Sequence, residues 1–158
     1  MKKNTTRLVG LSFSALLAIF FLVTSNTLAS AAEYVSVKND GANIRSAPNT
    51  KGAVLWEVFK GFPLKIVNRK DDWAEVVDFE GDKGWIFASL LDKKKTVIIK
   101  VDSANMRSGP NTDASVVATV KKGVVFTPLE KKGAWVKVSY KDDITGWMHN
   151  TLIWPSDI

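Results

Sequence analysis

Two stretches, ANIRSAPNT at Ala42–Thr50 and ANMRSGPNT at Ala104–Thr112, decide how this chain is organised. Seven of their nine positions match, and the copies stand 62 residues apart. The offset continues without a gap on both sides. It pairs Val35 with Val97, Val54 with Val116, Gly61 with Gly123, Trp73 with Trp135, Gly84 with Gly146 and Trp85 with Trp147. Two glycines and two tryptophans held in one register mark a duplication. Each copy spans 58 residues, Tyr34–Leu91 and Thr96–Ile153.

The pattern inside each copy is β. YVSVK, VLWEV, PLKIVN, WAEVVDF and GWIF are short runs rich in Val, Ile, Phe and Trp. NDG, APNTKG, KGF, RKDD and EGDKG separate them and carry turn chemistry. The second copy repeats the scheme with TVIIKV, VVATV, VVFTPLE, WVKVSY and GWM. Several short strands with brief connections predict an all-β fold of two tandem small β-barrels. ASLL and HNTLI have room for a single 3₁₀ turn each.

The segment before the first copy reads differently. Lys2, Lys3 and Arg7 precede a mostly apolar run from Leu8 to Val23, and small residues lead to Ala32. Basic, apolar and small-residue parts in that order predict a signal peptide over residues 1–32, with the chain exported to the periplasm, the cell wall or the outside. No membrane span is expected after cleavage. The first domain is then expected over 33–92, a lysine-rich linker over 93–95 and the second domain over 96–158.

Without the leader, Lys+Arg number 19 against 16 Asp+Glu, because the leader holds three basic residues and no acid. A net charge of +3 is too balanced to argue for nucleic acid. The chain has no cysteine, which excludes disulfide staples and thiol catalysis. No phosphate loop or metal-ligand spacing occurs, so no cofactor and no metal are expected. His149 is the single histidine, with no thiol to activate. On these grounds the sequence reads as no enzyme and offers no catalytic residue.

The ordered motifs resemble the bacterial SH3 domain. Asn43, Arg45, Ser46, Pro48, Gly61, Trp73, Val76, Gly84 and Trp85 fit it in the first copy. Asn105, Arg107, Ser108, Pro110, Gly123, Trp135, Val138, Gly146 and Trp147 fit it in the second. The resemblance implies SH3-like barrels in a protein of the bacterial envelope. Members of that family commonly act as targeting or binding modules, many of them for peptidoglycan.

The candidate ligand-binding residues each have a competing structural role. In WAEVV and WVKVS, alternation sets Ala74 and Val76, or Val136 and Val138, on one face. Trp73 and Trp135 lie on the other, either as recognition aromatics or as lids on an open end. Asn43 and Asn105 suit an Asx turn. Arg45 and Arg107 project opposite Ile44 and Met106, toward a ligand or toward loop carbonyls. Trp56 faces only Ala118 in the other copy, so it would distinguish the two if it is not core.

Two functions follow as expectations. One is an exported, non-catalytic module binding the peptide or glycan of peptidoglycan, or another envelope component. The other is an adaptor docking an envelope protein such as an exported enzyme. Loss of sacculus binding on changing Trp73 or Trp135 separates them.

Overall fold

Apolar alternation and turn chemistry yield an all-β chain in two repeats. The computed structural model describes residues 32–141 and 143–157, so the expected leader lies outside the described residues apart from Ala32. The first repeat holds β1 (Glu33–Val37), β2 (Ala42–Arg45), β3 (Val54–Val58), β4 (Pro63–Lys70), β5 (Trp73–Val77), β6 (Lys83–Phe87) and β7 (Leu91–Asp92). The second holds β8 (Val97–Ile99), β9 (Ser103–Arg107), β10 (Val116–Lys121), β11 (Val125–Lys132), β12 (Trp135–Tyr140), β13 (Ile144–His149) and β14 (Ile153–Trp154). A 3₁₀ turn precedes β7 at Ala88–Leu90 and β14 at Asn150–Leu152.

The first sheet runs β3-β2-β6-β5-β4-β1-β7, and the second runs β10-β9-β13-β12-β11-β8-β14. The second order is the first with every strand replaced by its repeat partner. Among the described residues the pairings leave β3 and β7, and β10 and β14, at the sheet edges.

Period-two alternation fills each core. Ile44, Leu64, Ala74, Val76 and Ile86 are fully buried in the first. Val97, Ile99, Met106, Val136, Val138 and Met148 occupy the second. The bulges break this rule. Register shifts lie between Ile44 and Arg45, Ile66 and Asn68, Met106 and Arg107 in its pairing, and Pro128 and Glu130. A bulged strand carries one unpaired extra residue. Leu55, Val67, Val117 and Leu129 occupy those places, and all four are exposed despite being large and apolar.

The two repeats form one compact unit rather than beads on a tether. Val97 and Ile99 turn into the second core, so alternation sends Ile98 the other way, and it is fully buried in the first. Val125 and Trp154 also pack against the first core, and Trp154 meets Tyr34 edge-on at 5.4 Å between ring centres. Two hydroxyls fasten the seam. Thr96 Oγ1 donates to the Gly61 carbonyl at 2.7 Å, and Ser36 Oγ donates to the Lys94 carbonyl at 2.8 Å. Lys93–Lys95 stay exposed between β7 and β8.

Asp78 holds the loop between β5 and β6. Its Oδ1 accepts the amides of Glu80 and Asp82 at 2.9 and 3.0 Å. Burial raises its pKa above the usual carboxylate value, outweighing these amides, which act in the opposite sense. A raised folded-state value means that stability falls as pH climbs from the unfolded value to the folded one. Asp78→Asn keeps the accepting oxygen and removes the charge. The variant is therefore expected to be at least as stable as wild type at neutral pH, with the difference shrinking as pH drops through the carboxylate range. Denaturant titrations across that range check this.

Candidate functional site

The loop that ANIRSAPNT enters is tied down by its own side chains. Asn49 Oδ1 accepts the amides of Lys51 and Gly52, both at 2.9 Å. Asn111 does the same for Asp113 and Ala114 at 3.0 and 2.7 Å. The Asx turn thus belongs to Asn49 and Asn111, not to Asn43 and Asn105, which sit inside β2 and β9 opposite Glu57 and Thr119. A strand residue has its backbone committed to the ladder and cannot also close a turn. Arg45 Nη1 donates to the carbonyls of Gly52 at 2.9 Å and Thr50 at 3.3 Å, and Arg107 Nη1 to Ala114 at 2.8 Å. A guanidinium has five donors, so these bonds leave others for a ligand.

Trp73 starts β5 and pairs with Phe87 at the end of β6. Their rings meet edge-on, 5.6 Å between centres. Trp73 is half-buried and Phe87 exposed, beside the fully buried Ala74 and Ile86 on the opposite face. Trp73, Phe87, Asn43 and Arg45 line one pocket of about 560 Å³, with Asp40 and Leu90 among the other walls. Three of the residues singled out from the sequence are brought together here. Phe87 was missed, although alternation in KGWIF that turns Ile86 inward also turns Phe87 outward.

The second repeat keeps the frame and changes the chemistry. Trp135 pairs with His149, which takes the place of Phe87, and the rings lie edge-on at 5.3 Å. His149 Nδ1 lies 2.8 Å from Thr151 Oγ1. Asn105 Oδ1 accepts the Thr119 hydroxyl at 3.0 Å, where Asn43 has Glu57 as its neighbour.

Trp56 stands apart from these groups. It is half-buried, packs against the first core, and its Nε1 is buried with no hydrogen-bond partner among the described residues. Deleting an orphan donor regains about 1–3 kcal/mol, which offsets the packing lost with the smaller ring. Trp56→Phe is therefore expected to unfold within about 1 kcal/mol of wild type. Chemical denaturation measures it, and a much larger loss would show that the indole N–H is engaged.

Among the described residues, Asp78, Glu80 and Asp82 bring their carboxylate oxygens within 4.8 Å of one another. Asp78 Oδ1 already accepts the amides of Glu80 and Asp82, and Glu80 Oε1 accepts from Lys122 Nζ at 2.8 Å. That bond raises the Lys122 pKa. The trio therefore reads as a turn and a bond across the seam between the repeats. Among the described residues no helix is long and apolar enough to cross a membrane.

A repeated frame of short strands with a Gly-Trp pair in each copy defines a class of small all-β domain. Two family models, each described as Bacterial SH3 domain, match residues 38–93 and 102–153. The chain belongs to the bacterial SH3 family, with two domains in tandem. It is 28% identical over 163 residues to the putative N-acetylmuramoyl-L-alanine amidase YrvJ of Bacillus subtilis (strain 168), covering 96% of this chain and 30% of that one. It is 24% identical over 164 residues to the probable cell wall amidase LytH of Staphylococcus aureus, covering 90% of this chain and 56% of that one. The chain thus spans 30% and 56% of these two relatives. Among solved structures, NlpC2 from Trichomonas vaginalis is similar at a TM-score of 0.37 and 14% identity, over 78% of this chain and 48% of that one. A likeness of that size carries no argument about function. The expectation that the chain is no enzyme is corrected here, because relatives matching 90% and 96% of it are named as amidases. The absence of thiol and metal spacing was a weak warrant, since catalytic groups are recognised by geometry as much as by spacing.

Proposed function

We propose that this chain acts in bacterial cell-wall metabolism, its tandem SH3 domains engaging peptidoglycan in the service of amidase chemistry. The family and the wall amidases among its relatives support the cell-wall setting. The observation that carries the binding role is the convergence of Trp73, Phe87, Asn43 and Arg45 on one pocket. An aromatic pair offers an apolar face to a sugar ring or a methyl group, while the amide and guanidinium supply directional donors. Trp135 and His149, in contact with each other, and Asn105 and Arg107 stand at the equivalent positions of the second domain. Two weak sites on one compact unit raise avidity without any new contact. The setting is the exported side of the envelope, where the polymer is found.

Removing an aromatic anchor from such a pocket costs about 2 kcal/mol or more, some thirtyfold in affinity at about 1.4 kcal/mol per decade. Trp73→Ala is expected to weaken peptidoglycan binding by about that factor, and Trp135→Ala by less, because histidine replaces the phenylalanine. Binding isotherms on purified peptidoglycan, with folding checked by circular dichroism, measure both. Unchanged binding in both folded variants would remove the aromatic pockets from the account. Docking to an envelope protein is the second reading, favoured by exposed Val54, Leu55, Val116 and Val117 on the edge strands β3 and β10.

A further inference from the structure

One row of side chains crosses the outer face of the first sheet. The registers set Val54 beside Arg45, Arg45 beside Trp85, Trp85 beside Glu75 and Glu75 beside Asn68, one residue from each of β3, β2, β6, β5 and β4. Directly paired residues share a face. Their strand neighbours Ile44, Ala74, Val76 and Ile86 are fully buried in the core, so the row points away from it. It carries a cation, an aromatic ring and an anion in that order. Trp85 is half-buried on this surface, and Val54 at the end of the row is exposed. Arg45 uses Nη1 on the loop carbonyls and keeps its remaining donors. Glu75 makes no hydrogen bond or ion pair among the described residues.

The second repeat builds the same row with different charges. Val116, Arg107, Trp147, Lys137 and Glu130 are paired in the same way. Its tryptophan is buried, at 9% exposed, and a lysine stands where the first repeat has Glu75. A surface that meets its own copy face to face must be complementary to itself about a two-fold axis. With that axis along β6, Trp85 meets Trp85, and Arg45 of each copy meets Glu75 of the other. Val54 then falls against Asn68 and the exposed Val67 next to it. In the second repeat the same operation sets Arg107 against Lys137, and facing like charges oppose association.

We propose that the outer sheet face of the first domain is a self-association surface whose partner is a second copy of this chain, seated through Trp85 and two Arg45–Glu75 pairs. Strands about 4.8 Å apart make the five-strand row roughly 20 Å wide. That is the small end of specific interfaces, so the dimer is weak and forms where the protein is concentrated. Asn43, Trp73 and Phe87 lie on the same face, each two residues along its strand from Arg45, Glu75 and Trp85. A seated copy therefore closes the aromatic pocket, and self-association competes with any ligand held there. The dimer itself does not depend on what that ligand is.

The test is sedimentation equilibrium of the protein at low salt, from dilute solution up to about 1 mM, the range that a small interface requires. Wild type is expected to rise from monomer toward dimer mass. Glu75→Lys copies the second repeat, whose frame carries lysine there, so the fold is expected to hold while association weakens by about tenfold or more. Lys137→Gln, on the other domain, is expected to change nothing. Arg45→Glu is the mirror variant. Mixing it with Glu75→Lys restores opposite charges at both contacts, so the mixture is expected to associate while neither variant does alone. Circular dichroism checks that Arg45→Glu, which loses its loop bonds, still folds, and the Glu75→Lys result decides the matter if it does not. A wild type that stays monomeric, or a Glu75→Lys variant that associates as wild type does, would overturn the proposal. Pairing through the edge of β3 instead would give the second of these results. No sugar or peptide is present, so the outcome stands whatever becomes of peptidoglycan binding.

Discussion

Ile98→Ala is expected to destabilise the first domain by about 2–5 kcal/mol, the range for emptying a fully buried aliphatic site. The residue stands outside the segment matched by the first family model, in a strand of the second domain. Its side chain nevertheless belongs to the first core, because β8 turns Val97 and Ile99 to one side and Ile98 to the other. Val125 and Trp154 pack beside it from the same direction. The two domains are therefore expected to unfold together in wild type, in one transition by tryptophan fluorescence and circular dichroism. The variant should move that transition to lower denaturant. A small local change, with the first domain unaffected, would contradict the shared core.

Gly84→Ala is the second large effect. A Cβ at this position would overlap the Ile44 Cγ2 methyl and lie 3.1 Å from the Arg45 carbonyl oxygen and 3.3 Å from Leu55 Cδ1. Ile44 is fully buried and β-branched, so it has little freedom to move aside. Overpacking of this kind costs about 1–3 kcal/mol. The entropy gained by removing a glycine returns only about 0.4–1 kcal/mol. Gly146→Ala meets the same geometry in the second domain, with Met106 in place of Ile44 and the Arg107 oxygen at 3.0 Å. Methionine adapts its shape more readily, so Gly146→Ala is expected to cost less than Gly84→Ala. Equal losses in denaturant titrations would contradict this account of the Gly-Trp motif.

Much of this was legible in the sequence for a physical reason. Strand alternation is strict, so Ile44 and Met106 inward, Ala74 and Val76 inward, and Trp73 outward could all be read from spacing. The duplication was legible because both repeats face the same packing problem at Gly84 and Gly146. The bulges were not, since one extra residue at Leu55 or Leu129 leaves the apolar pattern looking continuous while reversing what is buried. Nor was the seam. TVIIKV reads as one apolar strand, and nothing local says that Ile98 serves a different core from its neighbours. The asparagine that closes the loop was misplaced by six residues, because Asn43 and Asn49 have the same turn propensity and only pairing with β3 distinguishes them. The pocket partner of Trp73 required the β5–β6 register, which pairs it with Phe87 in one domain and pairs Trp135 with a histidine in the other.

The most direct measurement is co-sedimentation of the protein with purified peptidoglycan at two salt concentrations. Pelleting at both, somewhat weaker at the higher salt because the lysines are screened, is the predicted result. Protein left in the supernatant at both concentrations, while still folded, would contradict a peptidoglycan-binding role.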